Sequence, residues 1–225
     1  MQAAPTLDET RYLLEIADNT PFVLGVVGWV DFTAPSAAED IALLAKHPKL
    51  VGLRPMIQDI DDDDWMLGPN LAPAFEAMIA QDLTFDALVL PRHLPRLGQL
   101  LGRYPELRCV IDHGAKPDIA GAKFEPWAAD MAALAAQSGA YCKLSGLVTE
   151  AGADWTPADV APFAAHLLDH FGPGRLVWGS DWPVLTLAAS YDAWLAAATS
   201  YVTDPRARQA IFGANAIALY GLNTG

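Results

Sequence analysis

One alternation constrains this chain more than any other feature: short apolar runs rich in β-branched residues, each followed by an amphipathic stretch long enough for a helix. Residues 22–29 are almost continuously hydrophobic, which suits a strand buried on both faces. Behind them Ser36 and Glu39 have the spacing of a capping box and open a helical stretch to His47, where Pro48 stops it. The pattern returns at 50–54 then 71–79, 84–90 then 93–103, 107–111 then 126–137, 141–144 then 157–171, and 175–178 then 187–201. Strands alternating with helices at a repeat of roughly 30 residues are βαβ units, and these build parallel sheets. Before them, 7–17 reads as a helix and 1–4 as the end of a strand that feeds it.

A parallel sheet of this kind is either doubly wound and open or closed into a (β/α)₈ barrel. The polar residues choose between them. Trp29/Asp31, Arg54/Gln58, His93, Asp112/His113, Ser145 and Asp181 each stand at the C-terminal end of a predicted strand. All such ends converge on one mouth in a barrel, whereas in an open sheet only those beside the switch point do. No glycine-rich phosphate loop favours the nucleotide-binding alternative. The expected fold is therefore an α/β TIM (β/α)₈ barrel, one domain over residues 1–225. Six complete strands and a stub fall short of eight, so the barrel is expected to be incomplete at its N-terminus, lacking the first strand–helix unit and most of strand two, roughly 40–60 residues.

Hydrophobic residues make up 52% of the chain and charged ones 18%, enough for a sizeable single core. The net charge of −13 leaves no basic stripe to displace counterions from phosphates, which argues against nucleic acid and anionic membranes as partners. Cys109 and Cys142 sit in apolar runs and read as reduced core residues. No signal peptide or spanning segment is visible, so a cytoplasmic protein is expected. A homo-oligomer is left open, since tryptophans such as Trp194 suit either a subunit interface or the core.

Asp181 follows the apolar run Leu176-Val177-Trp178, with Trp182 and Pro183 beside it as an apolar wall that would raise its pKa into the range of a useful base. The alternative is a carboxylate that caps the next helix. His113 also follows an apolar run and could polarise a carbonyl, bind a metal or carry a proton, with Asp112 or Lys116 fixing its tautomer. Arg54 is a forked donor suited to a carboxylate or a diol, with Gln58 as companion; the alternative is an ion pair with a neighbouring acid. His93 is balanced between substrate binding and the first turn of a helix. Lys143 and Ser145 share one face of their strand, either the barrel interior or the helix layer. Asp61 to Asp64 lack calcium-loop spacing and read as a solvated loop, with Trp65 as a lid or against a ligand.

Taken together, Asp112-His113-Gly114-Ala115-Lys116-Pro117, Lys143-Leu144-Ser145-Gly146 with Glu150 after it, Gly179-Ser180-Asp181-Trp182-Pro183 and Gly52-Leu53-Arg54 resemble the amidohydrolase-related (amidohydrolase 2) family of TIM-barrel hydrolases. The nearest branch is the sugar-acid and 2-pyrone-4,6-dicarboxylate lactonases. The resemblance implies a hydrolase that opens a small polar lactone, with Asp181 as general base and His113 beside it; Arg54, Gln58, His93 and Trp182, from their own positions, are the expected substrate-binding residues. The family also implies a His-x-His pair after the first strand, and this sequence has none. Asp181 and His113 are then the candidate ligands for a divalent metal such as zinc, which the missing pair would have to complete. A misassigned start codon or a real short variant would account for the departure. The alternatives carried beside the lactonase are a metal-dependent decarboxylase of the same superfamily and a truncated barrel that binds without turnover.

Overall fold

The computed structural model describes residues 1–225. Six strands form one sheet: β1 (Val26–Gly28), β2 (Leu50–Leu53), β3 (Thr84–Ala87), β4 (Cys109–Ile111), β5 (Tyr141–Leu144) and β6 (Leu176–Trp178). Their order in the sheet is their order in the chain, and every neighbouring pair is parallel. A doubly wound sheet would reverse its order partway, so this is an arc of a TIM-like barrel. The curl is visible in its contacts: Gln2 N donates to Val27 O beside β1 (2.8 Å), while the neighbouring Met1 places its Sδ 3.9 Å from Lys143 Nζ on β5. The opening residues thus run alongside β1 as the sequence suggests.

Helix α1 (Leu7–Asp18) precedes β1; α2 (Ala37–Leu44), α3 (Ala72–Ala80), α4 (Leu94–Arg103) and α5 (Trp127–Gln137) follow β1 to β4 in turn. After β5 come the short α6 (Leu147–Ala151) and α7 (Pro157–Phe171); after β6 come α8 (Tyr191–Tyr201), α9 (Pro205–Gln209) and α10 (Asn215–Tyr220). The core lies between strands and helices. Phe75 packs edge-on to Phe32 at 5.6 Å and to Phe85 at 5.5 Å, all three buried, and each ring so withdrawn from water contributes roughly 1.5–3 kcal/mol. Cys109 and Cys142 are buried free thiols. No helix is long and apolar enough to cross a membrane.

The strands are shorter than their apolar runs. Residues 84–90 keep only Thr84–Ala87 as strand because the chain turns into the mouth before the 3₁₀ turn Pro91–His93. The stretch 187–201 is likewise divided: a 3₁₀ turn at Val184–Leu187 precedes α8, whose first turn is capped when Ser190 Oγ accepts from Ala193 N at 3.2 Å. The capping box expected at Ser36 does not form; its hydroxyl donates to Asp40 instead, at 2.8 Å. Thr156 is where that chemistry is used, its N–H and hydroxyl both donating to the Asp159 carboxylate at 2.8 Å.

Candidate active site

Asp181 sits in the turn after β6. Gly179 N donates to Leu144 O (3.3 Å), Trp194 Nε1 on α8 donates to Gly179 O (2.9 Å), and Leu185 N donates to Asp181 O (2.9 Å), so the turn is held from three sides. Trp194 is therefore a core brace of this turn and no interface residue. Asp181 has a left-handed backbone, φ 58°, which a residue with a Cβ keeps only where its surroundings impose it. Its side chain is 16% exposed. Burial, with the charge of Asp112 adding to it, pushes the carboxyl up to about 6. The expected indole wall is not the cause, because Trp182 is 67% exposed.

His113 lies in the tight turn Asp112–Ala115 that ends β4. Its Nδ1 is 2.8 Å from Ser145 Oγ at the end of β5, and its Nε2 is 3.5 Å from Asp181 Oδ1. Burial pushes the imidazole down to about 4, so it is neutral at pH 7. The close approach explains Gly146: at φ 67° it takes a backbone that disfavours side chains, and a Cβ there would stand 2.7 Å from His113 Cγ and Nδ1. The tautomer partner is thus Ser145 and neither Asp112 nor Lys116, which corrects the sequence reading. It also settles the face left open for Lys143 and Ser145, which is the interior of the arc.

Beneath this pair runs a network of matched charges. Arg54 Nη1 donates to Asp112 Oδ2 at 3.1 Å, and Nη2 donates to Gln2 O and, at 3.2 Å, to Gln2 Oε1. Lys143 Nζ bridges Asp112 Oδ1 (2.7 Å) and Asp86 Oδ2, and Tyr220 O–H donates to Asp86 Oδ2 at 2.7 Å. Burial alone would discharge Lys143, but Asp112 and Asp86 hold its ammonium charged, above its ordinary value. Burial would likewise raise Asp112, yet Lys143 and Arg54 hold it well below the usual carboxylate range. Asp86 and Tyr220 are functional-looking residues that sequence reading missed. The available signal was an acid at the middle of an apolar strand, which must find a partner.

Two cavities meet here, of about 590 and 370 Å³, and Arg54, His113 and Asp181 line both. Trp182, Ser145 and Lys143 border the larger; Gln58, Lys116 and Glu150 border the smaller. His93 borders neither. It is wholly buried, accepts from Leu90 N at 3.1 Å through Nδ1, and puts Nε2 3.4 Å from Asp63. It locks the turn that starts α4, so the substrate-binding reading of His93 is corrected to a structural one. Asp63 and Asp64 pair with Arg92 (2.6 Å) and Arg96 (2.7 Å), as befits a solvated loop. Trp65 packs on Phe32 at 6.4 Å instead of lying over the mouth.

A metal would need more donors than the pair supplies. His113 and Asp181 are the candidate ligands, and no group of three or more His, Cys, Asp or Glu side chains is arranged to share an ion. The residues present do not complete such a site.

Comparisons with known proteins place these features in context. A family model described as amidohydrolase matches residues 1–222. The chain is 50% identical over 229 residues to an L-fucono-1,5-lactonase of Burkholderia ambifaria, covering 99% of this chain and 79% of that protein. It is 39% identical over 211 residues to an L-fucono-1,5-lactonase of Burkholderia multivorans, covering 85% of this chain and 68% of that one. Among solved structures, an amidohydrolase of Burkholderia multivorans with bound zinc superposes with a TM-score of 0.90 at 36% identity, over 99% of this chain and 82% of its own.

Proposed function

Because the chain belongs to the amidohydrolase family, we propose that it hydrolyses a sugar-acid lactone with Asp181 as the proton acceptor. The supporting observation is a carboxyl raised by burial to about 6 and standing 3.5 Å from a neutral imidazole, both on the wall of an open cleft. A base with a pKa just below neutrality is ionised at pH 7 yet still basic enough to take a proton.

With Ser145 O–H donating to Nδ1, the proton of His113 resides on Nε2 and faces the cleft. A lactone carbonyl placed there accepts this N–H while water attacks its carbon from the Asp181 side. Asp181 takes one proton of the water as the new C–O bond forms, and the carbonyl electron pair moves to oxygen, where the His113 N–H stabilises the charge. Collapse restores the carbonyl, breaks the bond to the ring oxygen, and returns the proton from Asp181 to that departing oxygen. The product is the open hydroxy acid. Arg54, tied to Asp112 and Gln2, shapes the back of the cleft and keeps Asp112 ionised.

The test is Asp181→Asn assayed with a pH indicator on aldono-1,5-lactones, L-fucono-1,5-lactone among them. The variant should lose about 10²- to 10⁴-fold in kcat, the usual worth of a general base. Near-normal turnover would remove Asp181 from the mechanism.

A further inference from the structure

The smaller cavity carries a polar wall that the hydrolytic step does not use. Resting on the lactonase reading, we propose that Lys116, Glu150 and Gln58 form the subsite that reads the ring hydroxyls, and that this cleft selects an uncharged polyhydroxylated lactone over one bearing a free carboxylate.

Lys116 ends the same turn that carries His113, with its N–H donating to His113 O at 2.9 Å and its backbone in the left-handed region, φ 54°. The subsite is thereby fixed to the reacting group by only a few bonds. Lys116 Nζ donates to Gln58 Oε1 at 3.1 Å and lies 3.3 Å from Glu150 Oε1, and Lys116 and Glu150 are each one-quarter exposed. An ammonium has three N–H donors, so one remains for a ligand, while the Glu150 carboxylate keeps acceptor sites beyond its contact with Lys116. Adjacent donor and acceptor are what a vicinal diol requires, since each hydroxyl both gives and takes a proton. Met56, Leu88 and Val184 supply an apolar surface on the same cavity for the C–H face of a ring.

Charge decides the rest. The two cations on this wall are both matched, Arg54 by Asp112 and Lys116 by Glu150. Asp181, with its Oδ1 3.5 Å from His113 Nε2, puts a carboxyl on the same cavity. A ligand carboxylate would meet no spare cation and would face Asp181, an unpaired burial that costs more than it returns. A neutral polyol meets no such opposition.

Glu150→Gln and Lys116→Met, each made in the full chain and checked for an unchanged melting profile, separate this from a structural role. Binding is measured by calorimetry with two non-hydrolysable rings: a neutral sugar 1,5-lactam and one carrying a carboxylate. The wild type should prefer the neutral lactam. Lys116→Met should weaken the neutral lactam about tenfold, the order of one charge-assisted hydrogen bond, without helping the acid. Glu150→Gln, which unmatches Lys116, should weaken the neutral lactam and tighten the carboxylated one, shifting the preference about tenfold or more. If both ligands move together, or neither moves, or the wild type binds neither, the subsite is wrong. A wild type that shows the preference but opens no lactone would remove the hydrolytic reading and leave the subsite standing.

Discussion

Two sets of ionisable side chains share the inside of this sheet, and they differ in how their charges are matched. Arg54, Asp112, Lys143 and Asp86 form a closed chain of opposite charges with Tyr220 at its end. Asp181, above them at the mouth, has only a neutral histidine 3.5 Å away. Both sets are buried, so burial alone does not make a reactive group. In the network Lys143 and Arg54 hold Asp112 ionised, while burial raises Asp86 in spite of its contact with Lys143, and removal of one member leaves another stranded. At the mouth burial and the charge of Asp112 outweigh the more distant cations Arg54 and Lys116, neither of which pairs with Asp181, and the carboxyl rises to about 6, where proton transfer near neutral pH becomes possible.

The comparison breaks most visibly at Lys143. Lys143→Met leaves Asp86 and Asp112 facing each other without their shared cation, and a loss of about 3–5 kcal/mol in stability is expected by urea or thermal unfolding; a loss below about 1 kcal/mol would mean the network is not a closed unit. Ser145→Ala acts on the other set. Without its Nδ1 partner His113 is free to adopt the other tautomer, and kcat should fall about tenfold with little change in KM or in melting temperature. Equal effects on KM and folding would reduce Ser145 to packing.

A smaller effect runs the opposite way. The raised pKa of Asp181 means the folded state holds that proton more tightly than the unfolded chain, so stability falls as pH rises from the ordinary carboxylate range to about 6 and the full cost is present above it. Asp181→Asn should therefore stabilise the protein at pH 7.5 by about 1–2 kcal/mol, allowing for the partial exposure of the group, and the gain should shrink toward pH 4. Asn also tolerates the left-handed backbone. A destabilised variant would place Asp181 among the structural charges.

The architecture was legible because parallel strands buried on both faces leave long apolar runs, and α7 was readable to its end residues from a Pro at its start and a Gly after it. Asp181 and His113 were legible as titratable groups directly after such runs. The rest required three dimensions. Ser145 could not be assigned to His113 because a strand's faces are distinguished only once its neighbours are known, and the Lys116–Glu150 pair joins the turn after β4 to the short helix after β5. His93 misled because a histidine just past a strand end looks the same whether it faces the mouth or locks the next turn. The sequence was equally silent on Asp86, whose partners lie on β5 and at the end of α10.

The pH dependence of kcat/KM for opening a sugar 1,5-lactone tests the central contrast most directly. If Asp181 is the unmatched, burial-raised base, the rate is full where it is ionised and falls with unit slope below a midpoint near pH 6. A rate that stays flat down to pH 4.5 would mean the working carboxylate is held low by a charge partner, like Asp112, and the division between a structural network and a reactive mouth would fail.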